Sequence, residues 1–446
     1  MSIAASEVEV KALLQKVLGY SKADECEVNL LDEEWSNIRY ARNEVSTCGS
    51  LANKTLTVRS AFGKRVGVAA INEFDEAALE KVVRRSEELA RLAPENPEYV
   101  GLVGPQTYLK ANGFFESTAN VSPSARAGAV VESIRLCRDQ KQLGAGYLED
   151  RVSYAALMNS KGLFAYYPST QVNFSLTVRT PDGTGSGYAT RGYNDFNQLK
   201  TAPATQVAVQ KAMGSVGARA LEPGKYTVIL EPLAAGVLLE HLFGALDARS
   251  ADEGRSFLSK PGGKTRLGEK LIDERVTIYS DPTFAELPAS PWSGDGRAQE
   301  KTAWIEKGVV KNVAYSRYWA QKKGVKAIPY PNNFIMLGGT ASLDEMIKST
   351  QRGILVTKLW YTRSVDPQTL LVTGLTRDGT FYIENGRIKH PVKNFRFNES
   401  PIIMLNNVEM LGKPERMVSS EGSFANYMIP PMKIREFTFS SLSEAV

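Results

Sequence analysis

"KTLTVRSAFGKRVGVAAI", residues 54–71, decides the fold of the first half of this chain. Two runs rich in β-branched residues flank Phe62-Gly63-Lys64, which is the pattern of an antiparallel hairpin, and Gly63 supplies the turn. Upstream, "CEVNLL" (26–31) and "NIRYAR" (37–42) read as further short strands, so a small antiparallel sheet is expected. Residues 5–18 place Val8, Ala12, Leu13 and Val17 at helical spacing behind Ser6 as N-cap and before Gly19. Downstream, "NEFDEAALEKVVRRSEELARLA" (72–93) carries Leu79, Val82, Val83 and Leu89 on one stripe, with Asn72 as its expected cap. "SPSARAGAVVESIRLCRDQ" (122–140) opens on the Ser-Pro preferred at a helix start. These helices should pack on the sheet.

Strand patterns return between Tyr147 and about Thr190, ending in "PDGTGSG" (181–187), a flexible loop or hairpin tip. A helix expected over 203–219 leads to the turn Pro223-Gly224 and the buried strand "KYTVIL" (225–230). The boundary is placed there, giving an N-terminal α+β domain (1–220) and a C-terminal domain (221–446) that is mostly β, sandwich-like or barrel-like. Beyond residue 270 short β-runs alternate with Gly, Pro, Asn and Asp. "WIEKGVV" (304–310) and "YIENGRI" (382–388) repeat one hairpin chemistry, the second through the type I′ dipeptide Asn385-Gly386.

The net charge of +5 over 446 residues, with both signs interspersed, makes no case for a nucleic-acid surface. Cys26, Cys48 and Cys137 are odd in number and lack metal-ligand spacing, which suits reduced thiols in a cytoplasmic protein. The N-terminus fits neither a signal peptide nor a lipidation motif, and no window nears the roughly 18 apolar residues of a membrane span.

"GVLLEHLFGALDARSADEG" (236–254) carries the chemistry that matters. An apolar helix bears Glu240 and His241 side by side. A hydrolytic zinc site takes three protein ligands and a nearby carboxylate base. Adjacent helical residues point about 100° apart, so the next turn must supply another ligand. It supplies Phe243, Gly244 and Ala245, and Asp247 is the first donor beyond. The only other histidine is His390, in "RIKHPVKNF" (387–395), where the following proline suits a strand edge. "GTGSG" (183–187) lacks the Lys-Ser/Thr of a phosphate loop, "GGKTRLGEK" (262–270) has the wrong glycine spacing, and no GxSxG elbow is present.

Six segments in order resemble the TldD/PmbA family, also described as modulators of DNA gyrase: the helix extended to "GVLLEHLFGALDARSADEGRSFLS" (236–259), "LGEKLIDERVTIYSDP" (267–282), "DGRAQEKTAWIEKGVVKNVAYSRYWAQKKG" (295–324), "GGTASLDEMIKSTQRGILVTKLWYTRSVDPQT" (338–369), "GTFYIENGRIKHPVKNFRF" (379–397) and "MIPPMKIREFTFSS" (428–441). The resemblance covers essentially the whole chain. It implies a cytosolic zinc metalloprotease system in which a TldD subunit carries a His-Glu-x-x-x-His motif and a later cysteine, while a TldE (PmbA) subunit pairs with it and lacks the motif. Position by position, the first histidine falls on Glu240, the glutamate on His241 and the second histidine on Ala245. Val418, Ser419 and Ser420 stand where the thiol is expected. By resemblance the chain is similar to the TldE/PmbA partner, with no cofactor of its own and zinc in a TldD-like catalytic subunit.

The expected partners are that subunit and an unfolded or extended peptide, taken up by strand addition. Arg255, Lys264 and Arg266 flank the altered motif as candidate attractors of acidic groups. An apolar partner surface can also pair with itself as a homodimer. Two other readings are kept: an independent metallopeptidase built on Glu240, His241 and Asp247, and a binding protein of gyrase or a toxin system. The sequence shows no basic groove or aromatic array for direct nucleic-acid contact.

Overall fold

The computed structural model describes residues 6–418 and 426–443. Six antiparallel strands form the first sheet: β1 (Glu25–Ala41), β2 (Glu44–Phe62), β3 (Arg65–Ile71), β4 (Leu143–Asn159), β5 (Phe164–Arg179) and β6 (Ser186–Tyr193), in the order β3-β2-β1-β4-β5-β6. Residues 26–42 do not form two short strands, as the sequence suggests, because β1 runs unbroken through Asp32, Glu33 and Glu34. Two of those acids are matched across the ladder: Asp32 stands opposite Lys54 with Oδ2 3.4 Å from Nζ, and Glu33 lies 3.4 Å from Arg151. Cross-strand pairs of opposite charge support pairing where a run of acids alone opposes it.

The helices are α1 (Glu7–Gly19), α2 (Glu76–Leu92), the single turn α3 (Glu116–Ala119), α4 (Pro123–Asp139) and α5 (Thr201–Gly214). Ser6 and Glu9 close a capping box on α1. On α2 the cap is Asp75 rather than Asn72; its side chain accepts from the Ala78 amide at 2.9 Å. Val10, Leu14, Leu79 and Val83 of the first two helices share a core with Val28, Leu56 and Val58 of the sheet. Val130, Ile134, Ala204 and Ala208 of α4 and α5 share another with Leu148, Val172 and Phe174. Gly67 lets α2 lie directly on β3, since a Cβ there would meet the Ser86 carbonyl at 2.2 Å.

The C-terminal half opens with β7 (Gly224–Leu230) and α6 (Pro232–Gly244). β7 pairs in parallel with Arg352–Asp366 and antiparallel with Met432–Leu442; Phe395–Glu399 and Leu371–Glu384 continue the order, and Leu371–Glu384 pairs back onto Arg352–Asp366. Five strands thus close into a small barrel, which leaves them no unpaired edge along the closed stretch. Phe395, Phe397, Phe437 and Phe439 belong to one buried cluster with Val228, Ile354 and Val356. A second six-stranded sheet of short strands includes Ile278–Ser280, Phe334–Met336, Glu415–Met417 and Tyr427–Ile429. The architecture is mixed α+β. Both repeated hairpins form, with Lys307-Gly308 and Asn385-Gly386 at positive φ in their turns. Among the described residues, no helix is long and apolar enough to cross a membrane.

Candidate functional site

Helix α6 is apolar almost all round, and Ala234 through Leu239 together with Leu242 and Phe243 are buried. A helix of this kind must be packed on every side, and α6 lies between the barrel strand Arg352–Asp366 and the short strands Glu415–Met417 and Tyr427–Ile429. Its start is set by Pro232 at N1 and by Glu231, which is held 2.6 Å from Lys211 Nζ on α5. In its middle Gly236 faces the Met417 sulfur, where a Cβ would sit 2.2 Å away. At its end Phe243 stacks on Phe334 with ring centres 4.2 Å apart and an 8° tilt, and meets Tyr427 at 5.1 Å. The indole of Trp304 closes the cluster, 5.9 Å from Phe334 and donating to Ser280 Oγ at 2.9 Å.

This packing leaves two polar side chains at the open end of the helix. Glu240 is exposed and His241 is half-buried. The Glu240 carboxylate acts on two phenols contributed from far along the chain. Desolvation first and this carboxylate second push Tyr330 up to about 12. Burial, then Glu240, then Tyr330 raise Tyr427 as well. Both hydroxyls therefore stay protonated at neutral pH and can donate hydrogen bonds. Burial lowers the pKa of His241, whose ring makes no hydrogen bond or ion pair with a described residue. It is neutral at pH 7.

Among the described residues, Glu240 and His241 do not converge with a third metal donor. Ala245 is the C-cap of α6 and offers no ligand. Asp247 is spent as the N-cap of the short helix Ala248–Asp252, accepting from the Ser250 amide at 2.7 Å. Among the described residues no group of three or more His, Cys, Asp or Glu side chains could hold a metal ion. Val418 is buried, and Ser419 and Ser420 lie outside the described residues. The donor set at the motif positions does not fit zinc, which needs three or four converging N, S or O ligands. His390 lies on the strand Arg387–Pro391, which pairs with Leu371–Glu384, and is stacked on Tyr382 with ring centres 5.2 Å apart.

Of the flanking cations, Arg255 is paired with Glu253 at 2.5 Å and Arg266 with Glu269 at 3.7 Å, while Lys264 is exposed. Tyr330 and Tyr427 escaped the sequence reading, because each sits in an irregular Pro- and Asn-rich stretch, "PYPNNF" (329–334) and "NYMIPP" (426–431), without periodicity. A cavity of about 250 Å³ lies at the opposite end of α6, walled in part by Glu231, Lys211, Arg191 and Met417.

Three family models match consecutive parts of the chain: PmbA/TldA metallopeptidase domain 1 over residues 26–90, the central domain over 120–222 and the C-terminal domain over 223–441. The chain belongs to the PmbA/TldD metallopeptidase family. It is 25% identical to an uncharacterized protein of Methanocaldococcus jannaschii over 78% of this chain and 83% of that one. It is 25% identical to a protein of Methanothermobacter thermautotrophicus named "Metalloprotease", over 60% of this chain and 62% of that one. Its fold matches the crystal structure of TldE from Thermococcus kodakarensis with a TM-score of 0.84 at 20% identity, covering 97% of this chain and 99% of that one.

Proposed function

We propose that this chain is the non-catalytic, TldE/PmbA-like subunit of a TldD/TldE-type metalloprotease complex that processes unfolded or extended peptides. The observation that carries the reading is the state of the three motif positions. The Glu240 carboxylate helps to keep Tyr330 and Tyr427 protonated, His241 is a half-buried ring without a hydrogen-bond partner among the described residues, and Ala245 caps the helix. Zinc and the hydrolytic step then belong to a TldD-like partner. The carboxylate and the two phenols are suited to holding a peptide backbone by hydrogen bonds, with the aromatic cluster beneath them as a rigid support. We further propose the domain division at residues 220/221, where α5 has ended and β7 has not begun.

The test has two arms. Metal analysis of the tag-free chain and its His241→Ala variant should find no stoichiometric zinc in either. Co-expression with a TldD-like chain should give a complex whose peptidase activity survives His241→Ala. About one zinc per chain that His241→Ala removes, with chelator-sensitive peptidase activity in the isolated chain, would establish an independent metallopeptidase instead.

A further inference from the structure

Strands β4 and β5 use one face for the core and leave the other to a cleft. Leu176 and Val178 belong to the core with α4 and α5, so by alternation Thr177 and Arg179, with their cross-strand partners Ala145 and Leu143, point the opposite way. There they approach the barrel strands Arg352–Asp366 and Leu371–Glu384, and a cleft of about 570 Å³ lies between the two halves of the chain. Its lining carries four cations, Arg42, Arg179, Lys358 and Arg377, against one carboxylate, Asp378. None of these residues belongs to the motif helix.

Both walls hold these charges in place. On the barrel side the strand pairing skips from Val356–Thr380 to Lys358–Arg377, and Asp378 and Gly379, at φ of 55° and 126°, form the bulge between them. A bulge re-aims side chains where the ladder continues on either side. This one sets Asp378 Oδ2 3.5 Å from Lys358 Nζ and 3.9 Å from Arg377 Nε, while Ser186 Oγ donates to Oδ1 at 2.6 Å. Lys358 and Asp378 are 6% and 5% exposed, and a buried pair of this kind adds little stability over apolar packing. Arg377 also lies over the Trp360 ring, 4.1 Å from its centre. On the sheet side Arg42 occupies the β1–β2 turn, which Asn43 ties to β4: its side chain donates to the Gln142 carbonyl and accepts from the Gly144 amide, both at 2.7 Å. Asp182, in the neighbouring "PDGTGSG" turn, is spent locally, accepting from Thr180 Oγ1 at 2.5 Å and Thr184 Oγ1 at 2.9 Å. Among the described residues neither Arg42 nor Arg179 forms an ion pair.

Converging cations with a single carboxylate among them call for an anion, and guanidinium forks match tetrahedral oxyanions in two directions at once. A lone carboxylate brings one charge, whereas a phosphate group brings nearly two at neutral pH and has three oxygens to share. The cleft is within the roughly 300–1,000 Å³ of small-molecule sites, and Ala41, Leu143, Pro181 and Trp360 give it an apolar wall beside the cations. We infer that this cleft binds a small phosphate-bearing molecule, with Arg42, Arg179 and Arg377 around its phosphate oxygens. The site joins the sheet to the barrel and does not depend on the function proposed above.

The test uses the full-length chain, with pyrophosphate and adenosine diphosphate as probes and citrate as the polycarboxylate control. Calorimetry should show at least one of the two phosphate probes binding once per chain and raising the melting temperature, with citrate about tenfold weaker or worse. Arg42→Gln and Arg179→Gln, neither at a buried position, should each raise the dissociation constant of that probe by about tenfold or more while leaving the melting temperature without ligand unchanged. Arg179→Lys keeps the charge but loses the fork and should fall between. His241→Ala, on the motif helix, should leave the affinity as it is. Binding of neither probe, an affinity indifferent to both glutamine substitutions, citrate binding as tightly as the better phosphate probe, or loss of binding in His241→Ala would each overturn the site as drawn.

Discussion

Gly236→Ala tests how tightly α6 is seated. Two opposing effects fix the expected magnitude. In a helix interior alanine is favoured over glycine by about 1 kcal/mol. Against this, the new methyl would lie 2.2 Å from the sulfur of Met417, which is 2% exposed and enclosed in the main core. Forcing a methyl group into a packed core costs roughly 1–3 kcal/mol. Taking the middle of that range, overpacking wins and the variant loses about 1 kcal/mol net. Removing the obstacle reverses the sign. Met417→Ala alone should cost about 2–5 kcal/mol. In that background Gly236→Ala meets no sulfur, keeps its helical advantage and stabilises by about 1 kcal/mol. The two substitutions should therefore couple by about 2 kcal/mol in a double-mutant cycle. Urea titrations of the four chains, followed by tryptophan fluorescence, measure each corner, with a constant m-value as the check on two-state behaviour. Additivity would show that Met417 swings aside freely, and would refute the view that contact with the Glu415–Met417 strand positions the motif helix.

Two further substitutions probe buried charge. Arg126 on α4 and Asp150 on β4 are 7% and 6% exposed and form a bidentate pair, with Nε–Oδ1 at 2.5 Å and Nη2–Oδ2 at 2.8 Å. Arg126→Met strands the carboxylate and should cost about 3–5 kcal/mol. Burial already raises the Asp150 pKa and Arg126 opposes that rise, so the loss should shrink on acidification as the carboxylate takes a proton. Urea midpoints at pH 5 and pH 7 check this, and a deficit independent of pH would count against it. For His241 the sign is opposite. Its folded-state pKa lies below the ordinary 6.5, so the unfolded chain binds the proton more readily, and stability is lost as pH falls below about 6.5 through the folded value. His241→Gln should flatten that part of the acid limb of the stability curve, and an unchanged limb would mean that the ring is not desolvated.

What was legible in the sequence was local. Gly63, Lys307-Gly308 and Asn385-Gly386 announce their turns because each needs backbone that few other residues adopt readily, and Ser6 and Ser122 announce helix starts through side chains that reach only three residues onward. β1 was misread where its stability is non-local: a run of three acids resembles a turn until Lys54 and Arg151 come alongside. Barrel closure was hidden for the same reason. It rests on the parallel pairing of Val228 with Ile354, 126 residues apart, and no periodicity within either strand encodes a partner at that distance.

The altered motif shows where such reading stops. Adjacency of Glu240 and His241 is visible at once, and so is the lack of a donor at Ala245. What surrounds Glu240 is not visible, because its carboxylate acts on Tyr330 and Tyr427, which follow it by 90 and 187 residues. Their arrival depends on Phe243 and Phe334 stacking at 4.2 Å, since that contact locks the end of α6 to the strand before which Tyr330 lies and beside which Tyr427 pairs. The aromatic cluster is therefore the physical link between the helix and its surroundings. A helix that held a metal through its own side chains would draw its rigidity from the coordination bonds. Among the described residues this one has no such ligand set, and packing holds it. The near-total burial of its other residues is the consequence, and it makes the geometry of Glu240 answer to core substitutions such as Gly236→Ala.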